Sequence, residues 1–346
     1  MNKKFLPALI LCGAVCLNNG CQSPRDGARG EAPILLPLTG DRAVHDPVLI
    51  REKDQYFLFS TGGGPRGDII PIRCSTNLLH WERCGSVFER LPEWATNEIA
   101  RARGSWAPDI SFYNGKYHLY YSLSSFGVNE SAIGLAVNQT LDRNDPRYRW
   151  IDQGLVIRSR PGVTDFNAID PNLVLDGRRA WLCWGSFWGG IMMREIDPKT
   201  GKASSSNTNL YVLASRPRVE EHKTPPVEGA IESPTIIKRG GFWYLFASYD
   251  FCCRGTNSTY NVKVGRSRKV TGPYVDRDGR RLADDGGTPV IEAQSEKWAG
   301  AGHQTFFSDK GKDYLVFHAY NRTNGQSRLQ ISTVVWENGW PKAASR

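Results

Sequence analysis

The apolar positions of this chain fall into short runs that never reach helical length with helical spacing. Five of them are dense in aromatic and β-branched residues: 56–60 (Tyr-Phe-Leu-Phe-Ser), 117–122 (Tyr-His-Leu-Tyr-Tyr-Ser), 180–186 (Ala-Trp-Leu-Cys-Trp-Gly-Ser), 243–248 (Trp-Tyr-Leu-Phe-Ala-Ser) and 314–318 (Tyr-Leu-Val-Phe-His). Composition and length make each a strand. Each follows a second apolar strand across a short polar turn, such as Asn114-Gly-Lys or Arg239-Gly-Gly, so each unit opens with a hairpin.

Before each hairpin stands a polar residue, usually next to a proline: Asp46, Asp109, Asp170, Glu232 and His303, spaced 63, 61, 62 and 71 residues apart. A period near 60, with two hairpins per unit, fits a four-stranded blade. Five such units predict an all-β fold, a five-bladed β-propeller over 42–346, built as one domain. In a propeller the innermost strands line the central channel. The five polar residues are therefore expected to form one ring at its mouth. Crowded carboxyl groups are costly, which marks the ring as a candidate site.

Three chemistries suit such a ring. Paired carboxylates can divide into acid and base for glycoside hydrolysis, because mutual repulsion raises one pKa. Carboxylates with an imidazole can hold a cation. Asp before Pro can also simply shape a turn. The aromatic content adds flat faces for a sugar; most Trp residues are expected in the core, with Trp106 and the Phe187-Trp188 pair facing a ligand.

The first residues read as an address. Lys3 and Lys4 precede an apolar run from Phe5 to Leu17, too short for a comfortable membrane span. Residues 1–20 are expected to be a signal peptide of lipoprotein type, with Cys21 the first mature residue and a candidate lipid anchor. Residues 21–41 are expected to be a flexible tether. Export to the cell surface or periplasm, or plain secretion, follows from this reading.

Composition narrows the classes further. With 44 Lys+Arg against 35 Asp+Glu the formal charge is 44 − 35 = +9, or +7 once the two signal lysines are removed. The basic residues are dispersed, so nucleic acid is not an expected partner. Eleven Trp and an aromatic share of 11% exclude a disordered chain. Of eight cysteines, Cys74 and Cys84 flank a turn and could bridge neighbouring strands or remain thiols; Cys252 and Cys253 are adjacent, and no spacing suits zinc.

A set of motifs resembles glycoside hydrolase family 43, and within it the endo-α-1,5-L-arabinanases. The matching stretches include Val44-His-Asp-Pro47, Trp106-Ala-Pro-Asp-Ile110, Asn167-Ala-Ile-Asp-Pro-Asn172, Gly185-Ser-Phe-Trp-Gly-Gly-Ile191, Ala230-Ile-Glu-Ser-Pro234, Ser258-Thr-Tyr260 and Gly302-His303. The resemblance implies Asp46 as general base, Glu232 as general acid and Asp170 as the residue that orients the acid and tunes its pKa, with inversion at the anomeric carbon. It implies a supporting central ion, usually calcium, near His303. It also implies substrate contacts at Phe126, Gly127, Asn167, Ser186, Phe187 and Trp188, with Trp106 added for its place beside the ring. His45 is read as orienting the base. A monomer acting on arabinan and arabino-oligosaccharides is expected.

Two departures bear on this. Ser233 stands where Ala or Gly is expected, and a Gly-rich insertion at 62–68 could reshape one end of the cleft. Endo and exo action, relatives acting on xylosides, and a non-catalytic glycan-binding lipoprotein all remain open at this point.

Overall fold

A computed structural model describes Met1 and residues 32–63, 68–218 and 228–344. The expected signal peptide, Cys21 and most of the Gly-rich insertion lie outside the described residues. Among the described residues, no helix is long and apolar enough to cross a membrane.

The hairpin pattern becomes five antiparallel sheets, each a blade. Blade 1 is built on Val48–Glu52, Gln55–Phe59, Ile69–Ser75 and His80–Phe88. Blade 2 comprises Gly104–Tyr113, Lys116–Leu123, Ser131–Asn138 and Ile151–Ser159. Blade 3 uses Asn172–Asp176, Arg179–Trp184 and Ile191–Asp197, with Lys202–Ala203 and Tyr211–Ala214 both pairing on the last of these. Blades 4 and 5 run from Ile231–Arg239 to Thr288–Ile291 and from Trp298–Asp309 to Trp340–Ala343. Several first hairpins close on paired left-handed residues, as at Asn114 and Gly115 (φ +49° and +75°), which match the twist of the flanking strands.

Both faces of a blade are covered by neighbours, which explains why its central strands read as continuous apolar runs. In Lys116–Leu123, Leu119 and Tyr121 pack toward blade 1 while Tyr120 packs toward blade 3. Each of five apolar clusters straddles one junction between blades, so the core is a set of five slabs around an axis. Trp81, Trp181, Trp184 and Trp243 lie in these slabs, as expected for most of the tryptophans.

The ring closes through the N-terminal segment, which corrects the expected extent of the tether. Leu36 donates its N–H to the Ile331 carbonyl of blade 5 at 2.8 Å. Thr39–Gly40 then pairs in parallel with His80–Phe88 at the outer edge of blade 1. Leu38 is buried. A flexible tether over 21–41 therefore fails for its last residues: Leu36 and Leu38 pack into the junction between last and first blades, and Leu35 packs between blades 4 and 5.

Two disulfides are present among the described residues. Cys74–Cys84 ties adjacent strands of blade 1, and Cys252–Cys253 joins neighbouring residues in the loop after Phe242–Tyr249; Cys183 is a buried thiol.

Candidate active site

In or just before the innermost strand of every blade stands one non-glycine residue in the left-handed region: Asp46 (φ +54°), Ala107 (+43°), Asp170 (+58°), Ser233 (+55°) and His303 (+50°). Four precede proline, and Gln304 follows the fifth. For L-residues this conformation costs roughly 1–2 kcal/mol each and concentrates at functional sites. The five are the true structural equivalents.

This register corrects the expected ring, which splits into three levels. Asp46, Asp170 and His303 share one level, while Glu232 lies one residue before it and Asp109 two residues after. A β-bulge between Glu232 and Thr235, and another between Trp106 and Asp109, offsets pairing at these places.

The level of Asp109 is a belt between blades. Asp109 accepts hydrogen bonds from the Asn172 side chain at 3.1 Å and the Leu173 N–H at 2.8 Å, both in blade 3. Asn172 accepts the Ile236 N–H of blade 4 at 2.9 Å. Thr235 donates to the Gln304 carbonyl at 2.7 Å, and Thr305 to the Pro47 carbonyl at 3.1 Å. Burial pushes the Asp109 carboxyl up to about 6, against the pull of its Leu173 and Asn172 donors. Its role is joining blades 2 and 3.

At the mouth, Asp46 is surrounded. Its Oδ1 lies 2.8 Å from His45 Nδ1 and 3.0 Å from His303 Nδ1, and Thr61 donates to its Oδ2 at 2.5 Å. Its backbone N–H points to His318 Nδ1 at 3.2 Å. Burial opposes ionisation of Asp46, but the imidazoles of His303 and His45 outweigh it and hold the carboxyl well below its usual range. The same pair read from the other side agrees: burial disfavours charge on His303, yet the carboxylates of Asp46, Asp170 and Glu232 push it up to about 9. His303 therefore feels all three carboxyl groups.

Asp170 behaves oppositely to Asp46. Burial raises its pKa well above the usual value; His303 pulls it down, while the charges of Glu232 and Asp46 push it further up. Its Oδ2 accepts the N–H of Ser233, the residue after Glu232, at 3.1 Å. Asp170 thus grips the backbone that carries Glu232. Glu232 receives two hydroxyls, Ser186 on Oε2 and Tyr260 on Oε1, both at 2.6 Å.

The loop 185–190 is docked beside Glu232. Ser186 and Glu232 form a β-bridge, and Phe187 donates its N–H to the Ile231 carbonyl at 2.9 Å. The loop turns on Gly185, where a Cβ would meet the Gly190 carbonyl oxygen at 2.2 Å. Phe187 and Trp188 both sit in the left-handed region and are half-buried, with the Phe187 ring 6.0 Å from that of Phe251. Trp106 is half-buried, while Phe126 is 78% exposed and precedes Gly127 in the loop after Lys116–Leu123. Asn167 is buried, and its Oδ1 has no partner among the described residues, so a water or ligand atom must satisfy it.

Residues from every blade but one meet at the imidazoles and carboxyls just described, and sequence periodicity missed three of them. Thr61 and Tyr260 carry no repeat signal, while His318 closes the fifth aromatic run where Ser122 and Ser248 close theirs, a match that spacing alone did not turn into a site residue. Only the stretch Ser258-Thr-Tyr260 could have pointed to Tyr260.

The cavity along the axis is lined by Asp109, Asp170 and His303, with Thr235, Gln304 and Thr305 among its other walls. Both Asp109 oxygens are engaged with blade 3, so His303, Asp170 and the neutral oxygen-bearing side chains are the groups chemically compatible with a hydrated divalent cation such as calcium.

The family model for glycosyl hydrolases family 43 matches residues 39–341. An extracellular exo-α-(1→5)-L-arabinofuranosidase of Cellvibrio japonicus is 40% identical over 303 residues, covering 86% of each chain. An extracellular endo-α-(1→5)-L-arabinanase of Bacillus subtilis is 38% identical over 301 residues, covering 86% of this chain and 87% of its own. The fold superposes with a TM-score of 0.82 on Cellvibrio cellulosa α-L-arabinanase complexed with arabinohexaose, at 39% identity over 87% of this chain and 95% of that one.

Proposed function

From the premise that the chain belongs to glycosyl hydrolases family 43, we propose that it hydrolyses internal α-1,5-L-arabinofuranosidic bonds of arabinan with inversion. The observation that carries this reading is the convergence of Asp46, Asp170 and Glu232 on His303, with Asp46 and Asp170 driven in opposite directions. Glycan binding alone needs no such division between carboxyl groups.

Asp46 serves as general base. Its two imidazole partners keep it ionised, and it takes a proton from a water attacking the anomeric carbon. Glu232 is the general acid and gives its proton to the departing glycosidic oxygen. Asp170 orients the acid through the Ser233 N–H and, as the carboxyl whose own ionisation Glu232 opposes, is the modulator of the pair. Phe126, Phe187, Trp188 and Trp106 offer faces for sugar rings, Gly127 lets the chain approach closely, and Asn167 and Ser186 supply polar contacts. His303 would be the residue to hold a calcium ion, which would take the place of the second ring proton that the surrounding carboxylates otherwise favour. When bound, such an ion supplies positive charge that supports the carboxylates.

Export is supported by the extracellular relatives. Within it, a lipid anchor at Cys21 and a monomeric state are the finer readings. Digestion of linear arabinan tests the function. Early release of mixed oligomers supports internal cutting, and arabinose or a single short product from the outset supports the exo alternative. A Glu232→Ala enzyme with near-full activity would refute the acid assignment.

A further inference from the structure

The side chain of His45 sits between Asp46 and Tyr320. His45 Nδ1 faces Asp46 Oδ1 at 2.8 Å, and His45 Nε2 faces the Tyr320 hydroxyl at 2.7 Å. The Asp46 carboxylate can only accept and so favours a proton on Nδ1; whether Nε2 is then held as an acceptor depends on what else Tyr320 does. Its oxygen accepts the backbone N–H of Cys253 at 2.9 Å. With that lone pair engaged, the phenolic proton is free to point at His45. The alternative acceptor, Cys253 Sγ at 3.9 Å, is both more distant and weaker. Burial further keeps the phenol protonated.

The donors then run in one direction: Cys253 N–H to Tyr320, Tyr320 O–H to His45 Nε2, and His45 Nδ1–H to Asp46. A neutral imidazole has one donor and one acceptor, so a donated hydroxyl at Nε2 places the proton on Nδ1. The origin of the chain is held as well. Cys253 lies in the left-handed region at φ +64° and is bonded to Cys252, which fixes where its N–H points. The His45 ring is stacked at 3.9 Å on His318, the residue that accepts the Asp46 N–H.

We propose that Tyr320 is a positioning residue for the reaction: anchored on the Cys252–Cys253 loop, it sets the His45 tautomer and thereby the orientation of the Asp46 carboxylate. Tyr320 touches neither the base nor the reacting sugar in this scheme; it acts through His45. The proposal rests on the reading of Asp46 as general base, and its test separates the two.

Long-range proton–nitrogen correlation spectra of the full chain, labelled at histidine nitrogen and assigned with His45→Gln, report the tautomer without any activity measurement. The wild-type His45 is expected as the Nδ1–H form, and in Tyr320→Phe that population falls. On linear arabinan, Tyr320→Phe is expected to lower kcat about tenfold while KM changes less than about twofold, since a misoriented base slows chemistry without altering sugar contacts. An Nε2–H tautomer in the wild type overturns the proposal. So does a Tyr320→Phe enzyme with unchanged kcat, or one whose loss lies in KM alone. Full activity of Asp46→Asn would overturn the base assignment and the catalytic role of Tyr320 with it, whatever the tautomer.

Discussion

Tyr260 donates its hydroxyl to Oε1 of Glu232 at 2.6 Å, from a ring that is fully buried. The bond joins the start of the third strand of blade 4 to the first, across the cleft wall. With Ser186 on Oε2, it fixes the plane of the carboxyl group proposed as the general acid. Tyr260→Phe removes one donor and keeps the packing. We expect kcat on linear arabinan to fall about tenfold, KM to change little, and stability to drop by about 1–2 kcal/mol from the lost buried bond. Steady-state kinetics with a urea unfolding curve checks both halves.

The belt between blades predicts a stability phenotype without a catalytic one. Asn172 gives a hydrogen bond to Asp109 and accepts one from Ile236, so it links three blades. Asn172→Ala leaves a buried carboxylate and a buried N–H short of partners. A loss of about 2–4 kcal/mol is expected, read as a lower urea midpoint, with the product pattern on arabinan unchanged.

Asp109 also predicts a pH slope. Its folded pKa is raised to about 6 from 3.8, so the folded state holds the proton more tightly than the unfolded chain. Its contribution to stability is therefore fully present below about pH 3.8 and lost as pH rises through 6. Asp109→Asn removes that titration. Urea midpoints measured between pH 4 and 7 should show the wild type losing ground relative to the variant as pH rises. Parallel curves would contradict the assignment.

His303 predicts the response to metal removal. If its imidazole holds a calcium ion in the axial cavity, the dialysed wild type should retain about one divalent ion per chain by elemental analysis. EGTA should then lower both activity and melting temperature. His303→Gln should lose the ion, lose about tenfold or more in kcat through Asp46, and no longer respond to EGTA.

The blades were legible because their signal is local. A strand buried on both faces must be apolar throughout, and its tight turn must hold residues tolerant of positive φ, so the five hairpins announce themselves. The candidate carboxyls Asp46, Asp170 and Glu232 stood out by motif resemblance more than by spacing. Counting near-sixty periods placed Asp109 and Glu232 in one ring with Asp46, whereas a bulge and a one-residue offset put them on separate levels. The tether was overextended because Ile34 to Leu38 has no repeat to match; its partners lie in blades 5 and 1.

Sequence by itself determined the repeat, the strand character of each unit and the three carboxyl candidates, since apolar period and residue type are properties of short segments. Tertiary structure alone decided the surroundings of each carboxyl group. Asp46 is held ionised by His45 and His303, and Asp170 is pushed toward its neutral form, though both are buried Asp-Pro residues in equivalent places. A pKa depends on charges and desolvation within a few ångströms, and those neighbours come from blades far apart in the chain.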